Sequence, residues 1–78
     1  MQIKDLKPGD QAVVAGYEGK CPVYRSKLLA MGVTKGIVIK LLKVAPLGDP
    51  VEIEVRGFHL SLRKDEADSL QLRAVGDE

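Results

Sequence analysis

This chain has little of what most catalytic and ligand-binding chemistries require. A single cysteine, Cys21, can form neither an intrachain disulfide nor a cysteine zinc cluster, so the fold must rest on its apolar core and a reducing compartment is the natural setting. A single histidine, His59, leaves a hydrolase triad dependent on one imidazole. Tyr17, Tyr24 and Phe58 are the only aromatic residues, too few for the stacking platform on which small barrels hold single-stranded nucleic acid. Lys and Arg number 12 against 11 Asp and Glu, and a net charge of +1 gives no footprint for a polyanion. No apolar run approaches the roughly 18 residues of a membrane-spanning helix. The opening Met-Gln-Ile-Lys-Asp has no signal-peptide core. Neither Gly32 nor Gly36 leads into the Gly-Lys-Ser or Gly-Lys-Thr of a phosphate-cradling loop. These absences predict a protein that is not an enzyme, carries no cofactor, binds no nucleic acid, does not insert into a membrane and works in the cytoplasm.

What is present is the profile of a small globular domain. Apolar residues make up 45% and charged residues 29% of 78 positions. A chain of this length buries only about 60 to 65% of its unfolded surface, enough for one core and no second domain. Residues 1–75 are therefore expected to form a single unit, with 76–78 as a frayed end.

Leu47 to Leu62 carries the strongest structural signal. Val51, Ile53 and Val55 alternate with Glu52, Glu54 and Arg56, the period of a strand with one wet face. Past Gly57 the alternation resumes one step out of phase, with Phe58, Leu60 and Leu62 apolar. A two-residue turn at Arg56 and Gly57 sets Val55 opposite Phe58, Ile53 opposite Leu60 and Val51 opposite Leu62, so that every inward pair is apolar. Any other register buries a carboxylate or the imidazole.

Elsewhere the pattern is strand-rich with two helical interruptions. Turn chemistry at Leu6–Asp10 leads into a first strand over Ala12–Tyr17. Pro22 suits the first turn of a helix, in which Tyr24, Leu28 and Met31 share a stripe, and Gly32 is its left-handed stop with Val33 packing back. Ile37–Val44 reads as a second strand. The connection Ala45-Pro46-Leu47-Gly48-Asp49-Pro50 is a turn in which Gly48 takes positive φ, Asp49 bonds nearby amides and Pro50 opens the next strand. Asp65 and Glu66 suit the positive end of a short helix over Lys64–Ser69, and Leu70–Val75 supplies the last strand.

Five short strands joined mainly by hairpins predict a mainly β fold, a small SH3-like antiparallel barrel with one short helix after the first strand and a one- to two-turn helix before the last. The interior is expected to hold Val13, Ile39, Leu41, Val51, Ile53, Val55, Phe58, Leu60 and Leu62, with Leu28 and Leu29 plugging one end. An OB-like barrel is the second choice, but its usual helix sits between the third and fourth strands.

Three ordered motifs make the reading specific. Tyr24-Arg25-Ser26-Lys27-Leu28-Leu29-Ala30-Met31-Gly32-Val33, then Ala45-Pro46-Leu47-Gly48-Asp49-Pro50, then Leu60-Ser61-Leu62-Arg63-Lys64 with Glu66-Ala67, resemble the FeoA family of ferrous iron transport accessory proteins, and Leu6–Asp10 fits as well. The resemblance implies an SH3-like barrel. It also implies a cytoplasmic accessory protein working with FeoB, a GTPase-coupled Fe(II) transporter, by contact on its cytoplasmic side, peripheral to the inner membrane only through that partner.

A partner surface needs a desolvated apolar anchor inside a polar rim. The barrel end near the first helix offers Tyr24, Leu29, Met31 and Leu47 as anchors and Arg25, Lys27, Arg63 and Lys64 as rim charges. Leu29 and Met31 have core positions as their alternative, and Arg63 and Lys64 a plain solvated strand end. Gly32, Gly48, Asp49, Pro50 and Gly57 read first as structural turns. For metal, His59 faces outward opposite Glu54 with Glu52 diagonal, a set too sparse for more than a weak site and a plain cross-strand pair otherwise. Cys21 before Pro22 reads as an ordinary thiol.

Two other functions stay open. Similar barrels form the carboxy-terminal domain of iron-dependent transcriptional repressors, although this chain has no room for a helix-turn-helix and its starting Met1 speaks mildly against a fragment. A small-barrel nucleic-acid-binding module is the other, disfavoured by charge and aromatic content. Weak homo-oligomerisation is a further expectation, since Leu29, Met31, Leu42 and Leu47 are not all internal.

Overall fold

The computed structural model describes residues 1–18 and 22–76, so Cys21 and the end pair Asp77 and Glu78 lie outside the described residues. A 3-10 turn, Ile3–Asp5, precedes β1 (Gln11–Tyr17), α1 (Pro22–Ala30), β2 (Val38–Val44), β3 (Val51–Val55), β4 (Phe58–Leu62), α2 (Lys64–Asp68) and β5 (Leu70–Ala74). The strands form one antiparallel sheet in the order β4-β3-β2-β1-β5. The register slips between Val14 and Gly16 on β1 and between Leu41 and Lys43 on β2. Such bulges raise local twist, which lets a narrow sheet wrap around its own apolar face.

The β3–β4 hairpin has the expected register, Val51↔Leu62, Ile53↔Leu60 and Val55↔Phe58, with Glu54↔His59 on the outer face. Arg56 (φ 53°) and Gly57 (φ 82°) are both left-handed, the geometry of a primed two-residue turn whose twist matches the strands. Gly32 (φ 86°) ends α1 in a Schellman motif. The Val33 amide donates to the Leu28 carbonyl at 2.9 Å and the Gly32 amide to Leu29 at 3.0 Å, while Val33 itself is fully buried. Gly48 (φ 83°) turns the β2–β3 connection.

The core comprises Ala12, Val14, Leu28, Val33, Ile39, Leu41, Val51, Ile53, Val55, Leu62, Leu70 and Leu72, closed at one end by Ile3 and Ala67. Three expected positions are corrected. Val13 is only half-buried. Ala12 pairs with Ile39 and so shares its inward face with Val14, and Val13 between them turns the other way. An unbroken Val-Val-Ala run cannot reveal that phase. Leu29 is 43% exposed, because α1 sends Leu28 alone fully into the core.

Phe58 is 72% exposed despite its correct register. One row across the sheet runs Phe58, Val55, Ile39, Ala12, Ala74. Its middle three residues are buried and its two ends exposed. Phe58 points toward the inner face at an edge beyond which no described strand continues.

The amino-terminal segment, where no regular element was expected before β1, is tied down. The Leu72 amide donates to the Met1 carbonyl at 2.7 Å and the Gln2 side chain to the Asp68 carbonyl at 2.8 Å. These bonds place Ile3 under α2.

Candidate functional site

The three sequence motifs, far apart in the chain, meet around α2. Glu66 is its third residue and is only 3% exposed. One carboxylate oxygen accepts the Arg63 amide at 2.9 Å, satisfying an orphan donor at the helix start. The other receives the Lys27 ammonium at 2.5 Å from α1. That hydrogen bond holds the Glu66 carboxyl below the usual glutamate range; burial pushes it the other way, and the Arg63 amide adds to the lowering. Asp49, from the β2–β3 connection, accepts the Lys64 amide at 3.1 Å and lies 3.8 Å from the Arg63 guanidinium. Asp49, expected to bond nearby amides, thus ties the connection to the head of α2.

Expected surface residues divide between two shallow grooves on either side of α1. Tyr24 shares one with Asp49, Arg63, Lys64, Asp65 and Glu66. Arg25 and Leu29 share the other with Gly16, Tyr17 and Lys35. There the Arg25 guanidinium sits 5.6 Å from the centre of the Tyr17 ring. The Tyr17 hydroxyl donates to the Val33 carbonyl at 2.5 Å, and burial pushes its phenol upward against the opposing pull of Arg25. Tyr17 therefore anchors the Arg25 groove, a role nothing in its sequence context signals.

The eight anchor and rim candidates are not equally free. Leu47 is 93% exposed at the tip of its connection. Met31 is half-buried and packs on the core. Lys27, 55% exposed at its side chain, is committed to Glu66. Lys64 is bonded to Asp68 at 2.9 Å, which raises its pKa. The accessible candidates are the apolar tip at Leu47, the half-exposed Tyr24 and Leu29, Arg25 over the Tyr17 ring, and the partly neutralised charges of Arg63 and Lys64.

The His59 imidazole lies 3.7 Å from Glu54, both on the open outer face, and Glu52 pairs across from Ser61. Among the described residues no three His, Cys, Asp or Glu side chains converge as a metal site, and no helix is long and apolar enough to cross a membrane.

Comparison with known proteins bears on the fold and the family. The Fe(2+) transport protein A/Fe(2+) transporter FeoB fusion protein of Porphyromonas gingivalis is 35% identical over 75 residues, which is 96% of this chain and 9% of that protein. The chain thus spans less than a tenth of that relative. The solution structure of iron(II) transport protein A from Clostridium thermocellum superposes with a TM-score of 0.86 at 36% identity, covering 97% of this chain and 46% of that one. Zinc-complexed FeoA from Stenotrophomonas maltophilia, described as a procaryotic SH3 domain protein, matches at a TM-score of 0.80 and 23% identity over 96% of this chain and 92% of that one, a likeness of fold. The bent five-stranded sheet is accordingly SH3-like. The family model described as FeoA domain extends over residues 1–74, the 3-10 turn and all five strands included, and the chain belongs to the FeoA family.

Proposed function

We propose that this protein is an accessory factor of ferrous iron uptake that acts by binding the cytoplasmic part of a FeoB-type transporter. The observation that carries the reading is the Porphyromonas gingivalis relative, in which a domain 35% identical to this chain is joined to FeoB in one polypeptide. Covalent joining raises the effective concentration of one domain at the other and so favours contact between them. The surface described above suits such contact. Leu47 is a protruding apolar tip, and Asp49, two residues further along the same connection, lines a polar groove with Tyr24, Arg63 and Lys64.

Co-purification of a FeoB-type transporter from detergent-solubilised membranes on immobilised protein tests the reading. Leu47→Glu puts a charge on a side chain that supports no core contact, so it should leave the thermal midpoint unchanged while reducing capture at least about tenfold, the scale of one lost anchor. Absence of capture by the parent protein at micromolar concentration would refute the partnership. Undiminished capture by the variant would move the site away from Leu47.

A further inference from the structure

Strand β4 presents an open backbone edge with its own complement. It is the terminal strand of the sheet, paired on one side only, with β3. In a two-residue hairpin the residues flanking the turn form the hydrogen-bonded pair and bonding alternates from there. Val55–Phe58, Ile53–Leu60 and Val51–Leu62 are then the bonded pairs. The backbone groups of His59 and Ser61 consequently point away from β3. No described residue hydrogen-bonds to either. The next outward donor, the Arg63 amide, is already taken by Glu66, which closes the edge on that side.

Natural edge strands are usually blunted by lysine, proline or a bulge. β4 reads Phe-His-Leu-Ser-Leu, with none of these, and its pairing with β3 has no register slip.

We propose that β4 is a self-association edge, through which two copies of this chain pair antiparallel about a two-fold axis at Leu60. The register follows from which groups are free. Centring on Leu60 sets His59 against Ser61 of the second copy and Ser61 against His59, so all the outward groups of both strands are used in about four backbone hydrogen bonds. Centring on Ser61 calls on the Arg63 amide, already occupied, and centring on His59 calls on Gly57, which lies in the turn.

The same register places Phe58 against Leu62 and Leu60 against Leu60 on the inner face, and His59 against Ser61 on the outer, with no like charges opposed. It supplies the cover that Phe58 lacks within one chain. A net charge of +1 sets little repulsion between copies. An interface this small falls in the class of weak association, below about 1,200 Å² in total.

Sedimentation of the full chain over a concentration series tests this, together with amide hydrogen exchange at its two ends. The weight-average mass should rise from one chain toward two as concentration approaches about 1 mM, the range expected of a weak interface. The His59 and Ser61 amides should exchange several-fold more slowly at the high end. Phe58→Asp, at an exposed side chain, should keep the fold and abolish the rise. Ser61→Pro, which removes an outward donor and no ladder bond, should do the same.

A mass that stays at one chain throughout overturns the proposal. So does Phe58→Asp associating like the parent, or association without protection at His59 and Ser61, which would place the contact on another surface. Protection of those amides only on adding the cytoplasmic part of a transporter would make the occupant a partner strand instead of a second copy.

Discussion

Substituting Glu66 tests how the barrel end is held together. Its carboxylate makes two charge-assisted bonds, to the Arg63 amide at 2.9 Å and the Lys27 ammonium at 2.5 Å. Bonds to charged groups contribute about 1.5 to 3 kcal/mol each in mutational series. The Lys27 bond belongs at or below the low end, because its side chain is more than half exposed and water screens it. Glu66→Ala also leaves a helix-start amide without its acceptor. A net loss of about 2 kcal/mol is expected. For a domain of this size that lowers Tm by about 8 to 16 °C. Glu66→Gln keeps an oxygen for the Arg63 amide and loses the charge, so it should fall between parent and Ala.

The pH dependence separates charge from packing. The folded carboxyl titrates below the unfolded one, so the unfolded chain binds its proton first as pH falls. The stabilisation is complete above the unfolded glutamate value of about 4.3 and is lost as pH drops through the folded value. The Tm gap between parent and Glu66→Gln should be full at pH 7 and shrink below about pH 4. Thermal unfolding by circular dichroism at several pH values reads both effects. A Glu66→Ala protein with a Tm within about 2 °C of the parent at pH 7 would refute the reasoning, as would a Gln gap that does not change with pH.

Three further outcomes are expected. Gly57→Val should cost roughly 1 to 2 kcal/mol or more by chemical denaturation. Its φ of 82° is hostile to a β-branched residue, while nothing lies within 4 Å of an added Cβ, so a cost near zero would mean the turn relaxes freely. Tyr17→Phe removes the bond to the Val33 carbonyl and should cost about 1 kcal/mol by the same assay, with unchanged stability contradicting the bond. The isolated chain should neither hydrolyse GTP nor bind Fe(II) tightly, since among the described residues no three ligating side chains converge and His59 is paired with Glu54 at 3.7 Å. Calorimetry showing a stoichiometric submicromolar site abolished by His59→Ala would overturn that expectation.

The hairpin and the helix stop were legible because their signals are local and exclusive. A phase slip around Arg56-Gly57 admits one register that buries no polar group, and Gly32 followed by Val33 is a complete C-cap in the sequence itself. β1 was legible as a strand and not in its phase, because Val13, Val14 and Ala15 are all apolar. The Lys27–Glu66 link was hidden for a different reason. A capping glutamate announces itself when serine or threonine stands three residues before it, and here that position is Arg63. Its partner lies on another helix, which no spacing rule connects.

Phe58 marks the limit of pattern reading more sharply than either. Alternation fixes which face of the sheet a side chain leaves from, and Phe58 leaves from the inner face as its phase requires. Burial needs something on the far side, and that depends on where the sheet ends. Since β4 is terminal, the row that is buried at Val55, Ile39 and Ala12 runs out into solvent at Phe58. Leu47 is exposed at the tip of a connection whose Asp49 is bonded to the head of α2. The two most exposed large apolar side chains thus belong to different surfaces. One is an edge whose free groups are backbone, suited to a strand. The other is the tip of the β2–β3 connection, a single protruding side chain. A contact at Leu47 leaves the β4 edge untouched, and the two substitutions Leu47→Glu and Phe58→Asp can therefore report on the two surfaces independently.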